Sequence, residues 1–189
     1  MDPALLKRSA PRAPSRSRGA EREADAEGLS ADRAGDPKFD LIELFFFAYR
    51  DFVGDADRLL EAYKFGRAHH RVLHFVNRHP GLTIAELLDI LRITKQSLNR
   101  VLKELLDQSY VESRPGVSDR RQRLLFPTPE GRRLALEVAR LQSERFSRVL
   151  GALGEGARAD AVAFLLEMID PGERDKAASL VWPEAKGDA

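Results

Sequence analysis

The chain has 189 residues, enough for one to one and a half domains on a prior of about 100 to 200 residues each, so one compact core fits and two large ones do not. Hydrophobic residues make up 43% and charged residues 32%, which is ordinary for a folded protein and too apolar for disorder throughout. Lys plus Arg number 31 against 30 Asp plus Glu, a formal net charge of +1 that gives no hint of nucleic acid or membrane, and the absence of Cys excludes disulfides, thiolate metal sites, cysteine nucleophiles and thiol redox switching within the chain.

Residues 1–37 are rich in Ala, Arg, Pro, Ser and Gly and have almost no large apolar side chain after Leu6. They bury too little to offset ordering entropy and are expected to form a disordered tail. Its first half is basic, with Lys7, Arg8, Arg12, Arg16 and Arg18 against Asp2, and its second half is acidic. A solvated tail is favoured over a DNA-reaching arm. Ala4, Leu5 and Leu6 precede Lys7 too closely to form a secretory signal, so the cytoplasm is the expected compartment.

From Lys38 the composition changes to Phe39, Leu41, Ile42, Leu44, Phe45, Phe46, Phe47, Tyr49, Phe52 and Val53, a helix that needs burial on several sides. The patch Leu41 to Tyr49 is short, contains Glu43 and is followed by Arg50 and Asp51, so no membrane span is expected. A second helix is predicted over Arg67 to Arg78, with Val72, Leu73, Phe75 and Val76 inward and Pro80-Gly81 as its stop. Thr83-Ile84-Ala85-Glu86 has the form of a capping box for a helix to about Leu91. Thr94 caps a fourth helix in which Leu98, Val101, Leu102 and Leu105 form a buried face, while Lys95, Gln96, Asn99, Arg100 and Lys103 lie opposite. Two short helices so joined, the second with a polar and basic outer face, meet the requirement of a helix-turn-helix.

Tyr110 to Arg114 and Arg123 to Pro127 read as the strands of a hairpin with arginines near its tip, and Thr128 caps a helix to about Leu150 with Pro129 at its first position. Gly151, Gly154 and Gly156 break that helix, and Asp160 to Ile169 is the last one expected, leaving residues 171–189 as a C-terminal tail. The fold class is therefore mainly α with a small β-hairpin, a winged helix-turn-helix lobe at about residues 67–127 within a domain spanning residues 38–170. Leu91 to Arg133 holds ten Lys or Arg against five acidic residues, a local excess of +5 inside a nearly neutral chain. That is the electrostatic footprint of a phosphate-binding surface.

The segments Pro80-Gly81-Leu82-Thr83-Ile84-Ala85-Glu86-Leu87-Leu88, Ile93-Thr94-Lys95-Gln96-Ser97-Leu98-Asn99-Arg100 and Asp119-Arg120-Arg121-Gln122-Arg123, leading to Thr128-Pro129-Glu130-Gly131, resemble the MarR family of bacterial winged-helix transcription regulators. The wing is similar to that family's Asp-x-Arg, strand, Leu-Thr-x-x-Gly signature, with Pro127 in place of Leu. Ser109 stands where the family usually has Gly, which predicts a costlier end to the recognition helix. The likeness spans about Leu41 to Ile169 and leaves the N-terminal tail outside.

The resemblance implies a homodimer, with dimerisation helices at about residues 38–65 and 129–170, binding double-stranded DNA at a pseudo-palindromic operator. The apolar surface of Leu41 to Phe52 agrees, since one small lobe cannot cover it. Gln96, Ser97 and Arg100 are the first choices for base edges or nearby phosphates, with Thr94, Lys95, Asn99, Lys103 and Arg123 as further DNA-binding candidates. Arg120 is the candidate for minor-groove insertion, whereas Arg121 either contacts DNA or, with Asp119, holds the wing in shape. The resemblance also implies a repressor released by a small-molecule effector between the lobe and the dimerisation helices, with Phe46, Tyr49, Tyr63, His70 and His74 as candidate lining.

His70 and His74 stand one turn apart, but no third ligand matches them, so neither a metal nor a cofactor is expected. Without Cys, sensing in such a family falls to ligand, metal or proton rather than a thiol. No glycine-rich phosphate loop or catalytic His–carboxylate spacing is present, so an enzyme is not expected. The rival reading is a protein-interaction module in which Lys95, Gln96, Ser97 and Arg100 meet a partner without sequence-specific DNA binding.

Overall fold

A computed structural model describes residues 36–116 and 119–183. The expected tail at residues 1–37 falls almost wholly outside them. By internal contacts the chain divides into residues 1–43 and 44–189. In the first unit the described residues enter helix α1, Phe39–Glu61, with the Ile42 amide donating to the Lys38 carbonyl at 3.0 Å. Phe39, Leu41 and Ile42 are exposed there.

The second unit continues with α2 (Arg67–Arg78), β1 (Leu82–Thr83), α3 (Ile84–Leu91), α4 (Lys95–Asp107), β2 (Val111–Pro115), β3 (Arg123–Pro127), α5 (Pro129–Leu153), α6 (Ala157–Glu167), a 3₁₀ turn (Pro171–Glu173) and α7 (Arg174–Val181). The predicted helix starts hold: Thr83 Oγ1 accepts from the Glu86 amide, while the Thr83 amide donates to the Glu86 carboxylate at 2.7 Å. Thr94 Oγ1 likewise accepts from the Ser97 amide, and Thr128 Oγ1 from the Gly131 amide. Ser109 sits at φ 60 in the left-handed region, the cost expected where a Gly is replaced.

The sheet is three-stranded and antiparallel in the order β1-β3-β2, so the expected hairpin gains a strand. Leu82 pairs with Leu125 and Thr83 with Leu124, a two-residue bridge too short to leave a sequence pattern. The core joins Leu60 of α1, Val72, Leu73 and Val76 of α2, Leu87 and Leu91 of α3, Leu98 and Leu105 of α4, Leu125 of β3 and Leu134 of α5. Each of α2 to α5 thus presents one apolar stripe to a shared centre, and the opposite face of α4 stays free.

The C-terminal region corrects the expectation of a tail over residues 171–189, because Arg174–Val181 is helical. Arg174 Nε donates to the Ile169 carbonyl at 2.9 Å and its Nη2 to that of Glu167 at 2.7 Å, closing the turn between α6 and α7. Such side-chain supports to the backbone carry no helical periodicity. Residues 184–189 lie outside the described chain. Helix α6 begins three residues earlier than predicted and α5 runs on to Leu153. Among the described residues no helix is long and apolar enough to cross a membrane.

Candidate nucleic-acid interface

Helix α4 is anchored by Leu98, Val101, Leu102 and Leu105, all buried, and this fixes which side chains point away. Thr94, Lys95, Gln96, Ser97, Asn99, Arg100 and Lys103 are exposed. Gln96, Arg100 and Lys103 recur at spacings of four and three residues and share one face. Their contributions differ. Thr94 is committed to its cap, its Oγ1 also donating to Ser97 Oγ at 2.9 Å, and Lys103 is ion-paired with Asp107 one turn on.

The wing is held by its own arginines and one aspartate. Asp119 Oδ1 accepts from the backbone amide of Arg121 at 2.9 Å, and the Asp119 carbonyl accepts from the Gln122 amide at 3.1 Å. The Gly116 amide donates to the Gln122 carbonyl at 2.9 Å, closing the hairpin. Asp119 therefore shapes the turn through main chain, and the Arg121 guanidinium is not the group that it binds. Arg123 reaches across the hairpin, with Nε donating to Ser113 Oγ at 3.0 Å and Nη2 to the Ser113 carbonyl at 3.3 Å. Arg114 lies over the Phe126 ring at 4.5 Å and pairs with Glu112. Arg120 and Arg121 are exposed beside them.

Helix α4 and the wing converge on one concavity of about 380 Å³, lined by Lys95, Asn99, Arg121, Gln122 and Arg123 together with Thr83, Ile84, Ala85 and Leu88. Four residues chosen from separate sequence segments are thus neighbours, with three cations on one rim. Such a surface attracts phosphate.

Behind α4, His69 is a contact that the sequence reading missed. Its Nδ1 accepts from the Gly66 amide at 3.2 Å, which leaves Nε2 as the donor to Glu104 Oε2 at 2.8 Å. The ring stacks on Phe65, whose other neighbour Tyr110 also meets Tyr63 edge-on. Helix α2 is thereby tied to the recognition helix. Only the clustering of four histidines in α2 and its flank hinted at a role there.

The candidate effector residues are more dispersed. Phe46 and Tyr49 are exposed on α1, and Tyr63 is committed to the aromatic cluster with Tyr110. His70 and His74 on α2 have ring centroids 6.4 Å apart. Burial pushes both imidazoles below their ordinary value; at His70 the nearby Asp57 and a hydrogen bond with Gln142 work against it, and at His74 the neighbouring His70, Arg78 and His79 add to it. None of these five residues lines the concavity between α4 and the wing. Among the described residues no three His, Cys, Asp or Glu side chains converge as a metal set.

The helix ends are braced in turn. Thr128 Oγ1 donates to the Ser109 carbonyl at 2.7 Å and the Thr128 amide to that of Tyr110 at 3.2 Å, which stitches the start of α5 to the end of α4. Asp55 of α1 accepts from Arg145 Nε of α5 at 2.6 Å, and that hydrogen bond holds its carboxyl below the usual range.

Comparison with known proteins follows the same outline. The sequence pattern of the MarR family matches residues 63–122. The HTH-type transcriptional regulator PetP of Rhodobacter capsulatus is 47% identical over 133 residues, covering 70% of this chain and 80% of that protein. Among solved structures, a MarR transcriptional regulator from Methanosarcina mazei Go1 superposes with a TM-score of 0.62 at 22% identity, covering 81% of this chain and 99% of that one. The S. aureus MepR–DNA complex gives 0.56 at 20% identity, with 67% and 93% covered. At these identities the solved structures speak for the fold, and the sequence relative carries the family. The chain belongs to the MarR family, whose members are transcriptional regulators and not enzymes.

Proposed function

We propose that this protein is a sequence-specific, double-stranded-DNA-binding repressor that acts in the cytoplasm as a homodimer and is released by a small-molecule effector. The observation that carries the reading is the shared exposure of Gln96, Ser97 and Arg100 on α4 beside Arg120 and Arg121 of the wing, within a segment of net charge +5. Arg and Gln each offer two hydrogen bonds to a base edge, and a wing arginine suits a narrow minor groove. The MepR–DNA complex among the structural neighbours supports the same use of the fold.

Dimerisation is supported by apolar side chains that one chain leaves in water. Leu44, Phe46 and Phe47 of α1 are 63%, 65% and 53% exposed, and Phe164 and Met168 at the end of α6 are 54% and 55% exposed. A second copy covering both segments would remove this surface from water and place two recognition helices on one operator. An effector acts in such a dimer only through unequal affinity for its DNA-competent and incompetent forms. Phe46, Tyr49, Tyr63, His70 and His74 remain the candidate lining, with the two half-buried histidines as its polar members.

Selection of bound fragments from a genomic or random DNA pool, followed by salt titration on the enriched site, tests the reading. A recovered inverted repeat whose binding weakens steeply with salt is expected. Enrichment of no sequence, with binding instead to a protein partner, would overturn it in favour of an interaction module.

A further inference from the structure

Helix α3 and the segment that leads into α7 carry complementary charges at the same spacing. Asp89 and Arg92 lie three residues apart, as do Glu173 and Lys176. Arg92 Nη2 meets Glu173 Oε1 at 2.6 Å, Lys176 pairs with Asp89, and Lys176 also stands 3.9 Å from Glu173 Oε2. The result is an alternating chain of four charges between the lobe and the C-terminal helix. Arg78 of α2 adds a bond from its Nη2 to the Val181 carbonyl at 3.3 Å.

Arg92 is also the turn of the helix-turn-helix. It ends α3 at φ 49 and ψ 46, a left-handed conformation that costs a non-glycine residue about 1 kcal/mol, and Thr94 starts α4 two positions later. Glycine would serve the turn at lower cost. The side chain present instead reaches Glu173, so one residue serves both the turn and the contact with the C-terminal helix.

We propose that Arg92, Glu173, Lys176 and Asp89 form a strap that fixes the helix-turn-helix against α7, making them positioning residues for DNA binding; this rests on the DNA-binding reading above. A lobe held in one orientation loses less freedom on docking than a loose one, so the strap favours the bound state. The pairing also holds the Asp89 carboxyl below its usual range, through its hydrogen bond with Lys176, and raises Arg92, through its bond with Glu173. Because all four groups face solvent, the strap weakens with salt.

Charge reversal separates positioning from simple attraction to phosphate. Glu173→Arg and Asp89→Lys both make the protein more positive, so attraction alone predicts tighter binding. The strap predicts the reverse, with affinity for the selected DNA falling about fivefold, an unchanged urea midpoint, and recovery in the fourfold swap Asp89→Lys, Arg92→Glu, Glu173→Arg and Lys176→Glu, which keeps the net charge and restores every opposite-charge pair. Amide hydrogen exchange of the full-length, DNA-free protein reads the strap independently of DNA. Faster exchange over residues 84–100 in Glu173→Arg, restored by the swap, is expected, and unchanged exchange would overturn the proposal. Tighter or unchanged DNA affinity in the single variants, or failure of the swap to rescue, would overturn it as well. If the parent protein binds no DNA, the DNA-binding reading fails while the exchange arm still decides the strap.

Discussion

The carbonyl oxygen of Tyr110 lies 1.8 Å from the position that a β-carbon on Gly131 would occupy, and its carbonyl carbon lies 2.8 Å away. The clash is with backbone that already accepts from the Thr128 amide, so neither side yields cheaply. Gly131→Ala is expected to destabilise the fold by about 3 kcal/mol, read as a lower urea midpoint at unchanged slope. A midpoint within error of the parent would show that α5 shifts freely.

Thr94 caps the recognition helix and has its side chain engaged with the Ser97 amide and hydroxyl. Thr94→Ala should cost about 1 kcal/mol of stability and Thr94→Asp much less, because a carboxylate also accepts from the helix start. Thermal unfolding of both variants checks the order. DNA affinity should fall in the alanine variant.

Asp119 acts on the wing through the Arg121 amide. Asp119→Asn retains an acceptor oxygen, whereas Asp119→Ala does not, so only the alanine variant should lose about tenfold in DNA affinity. Equal losses in binding assays would mean that the negative charge itself matters. Arg123→Ala should resemble Asp119→Ala in loosening the hairpin, since its guanidinium is spent on Ser113.

Burial disfavours the charged forms of His70 and His74, so their folded values lie below the ordinary one near 6.5. The unfolded chain then takes up protons first as pH falls. The stability contribution is complete above about pH 6.5 and is lost as pH drops toward the depressed folded values. Melting temperatures across roughly pH 5 to pH 8 should show this acid-side loss, and His74→Leu should flatten it. An undiminished slope in that variant would remove His74 as a cause.

Leu44 is exposed on α1 among Phe45, Phe46 and Phe47. In the proposed dimer a glutamate there would be buried against the second copy, so Leu44→Glu should raise the dimer dissociation constant at least about tenfold. Sedimentation at graded concentrations reads the change, and an unaltered dimer would place the interface elsewhere.

The local instructions of this fold were legible because they act over a few residues. The Thr83, Thr94 and Thr128 caps, the buried stripe of α4 and the second strand of the wing follow from hydrogen-bonding side chains and periodic apolar positions and stand where the sequence places them, while the first strand runs one residue later, over Val111–Pro115. The candidate interface was legible for the same reason, since burying Leu98, Val101, Leu102 and Leu105 compels Gln96 and Arg100 outward.

What the tertiary structure alone decided is the partner of each charged or polar group. Residues 35 positions apart bring His69 to Glu104, and residues 87 apart bring Lys176 to Asp89. The same distance from local pattern explains the two-residue strand β1, the helix α7 in a stretch without apolar period, and the reach of Arg123 across the hairpin to Ser113. A side chain's type announces that it needs a partner. Only the packed backbone determines which one lies within hydrogen-bond reach, because that depends on the meeting of elements far apart in the chain.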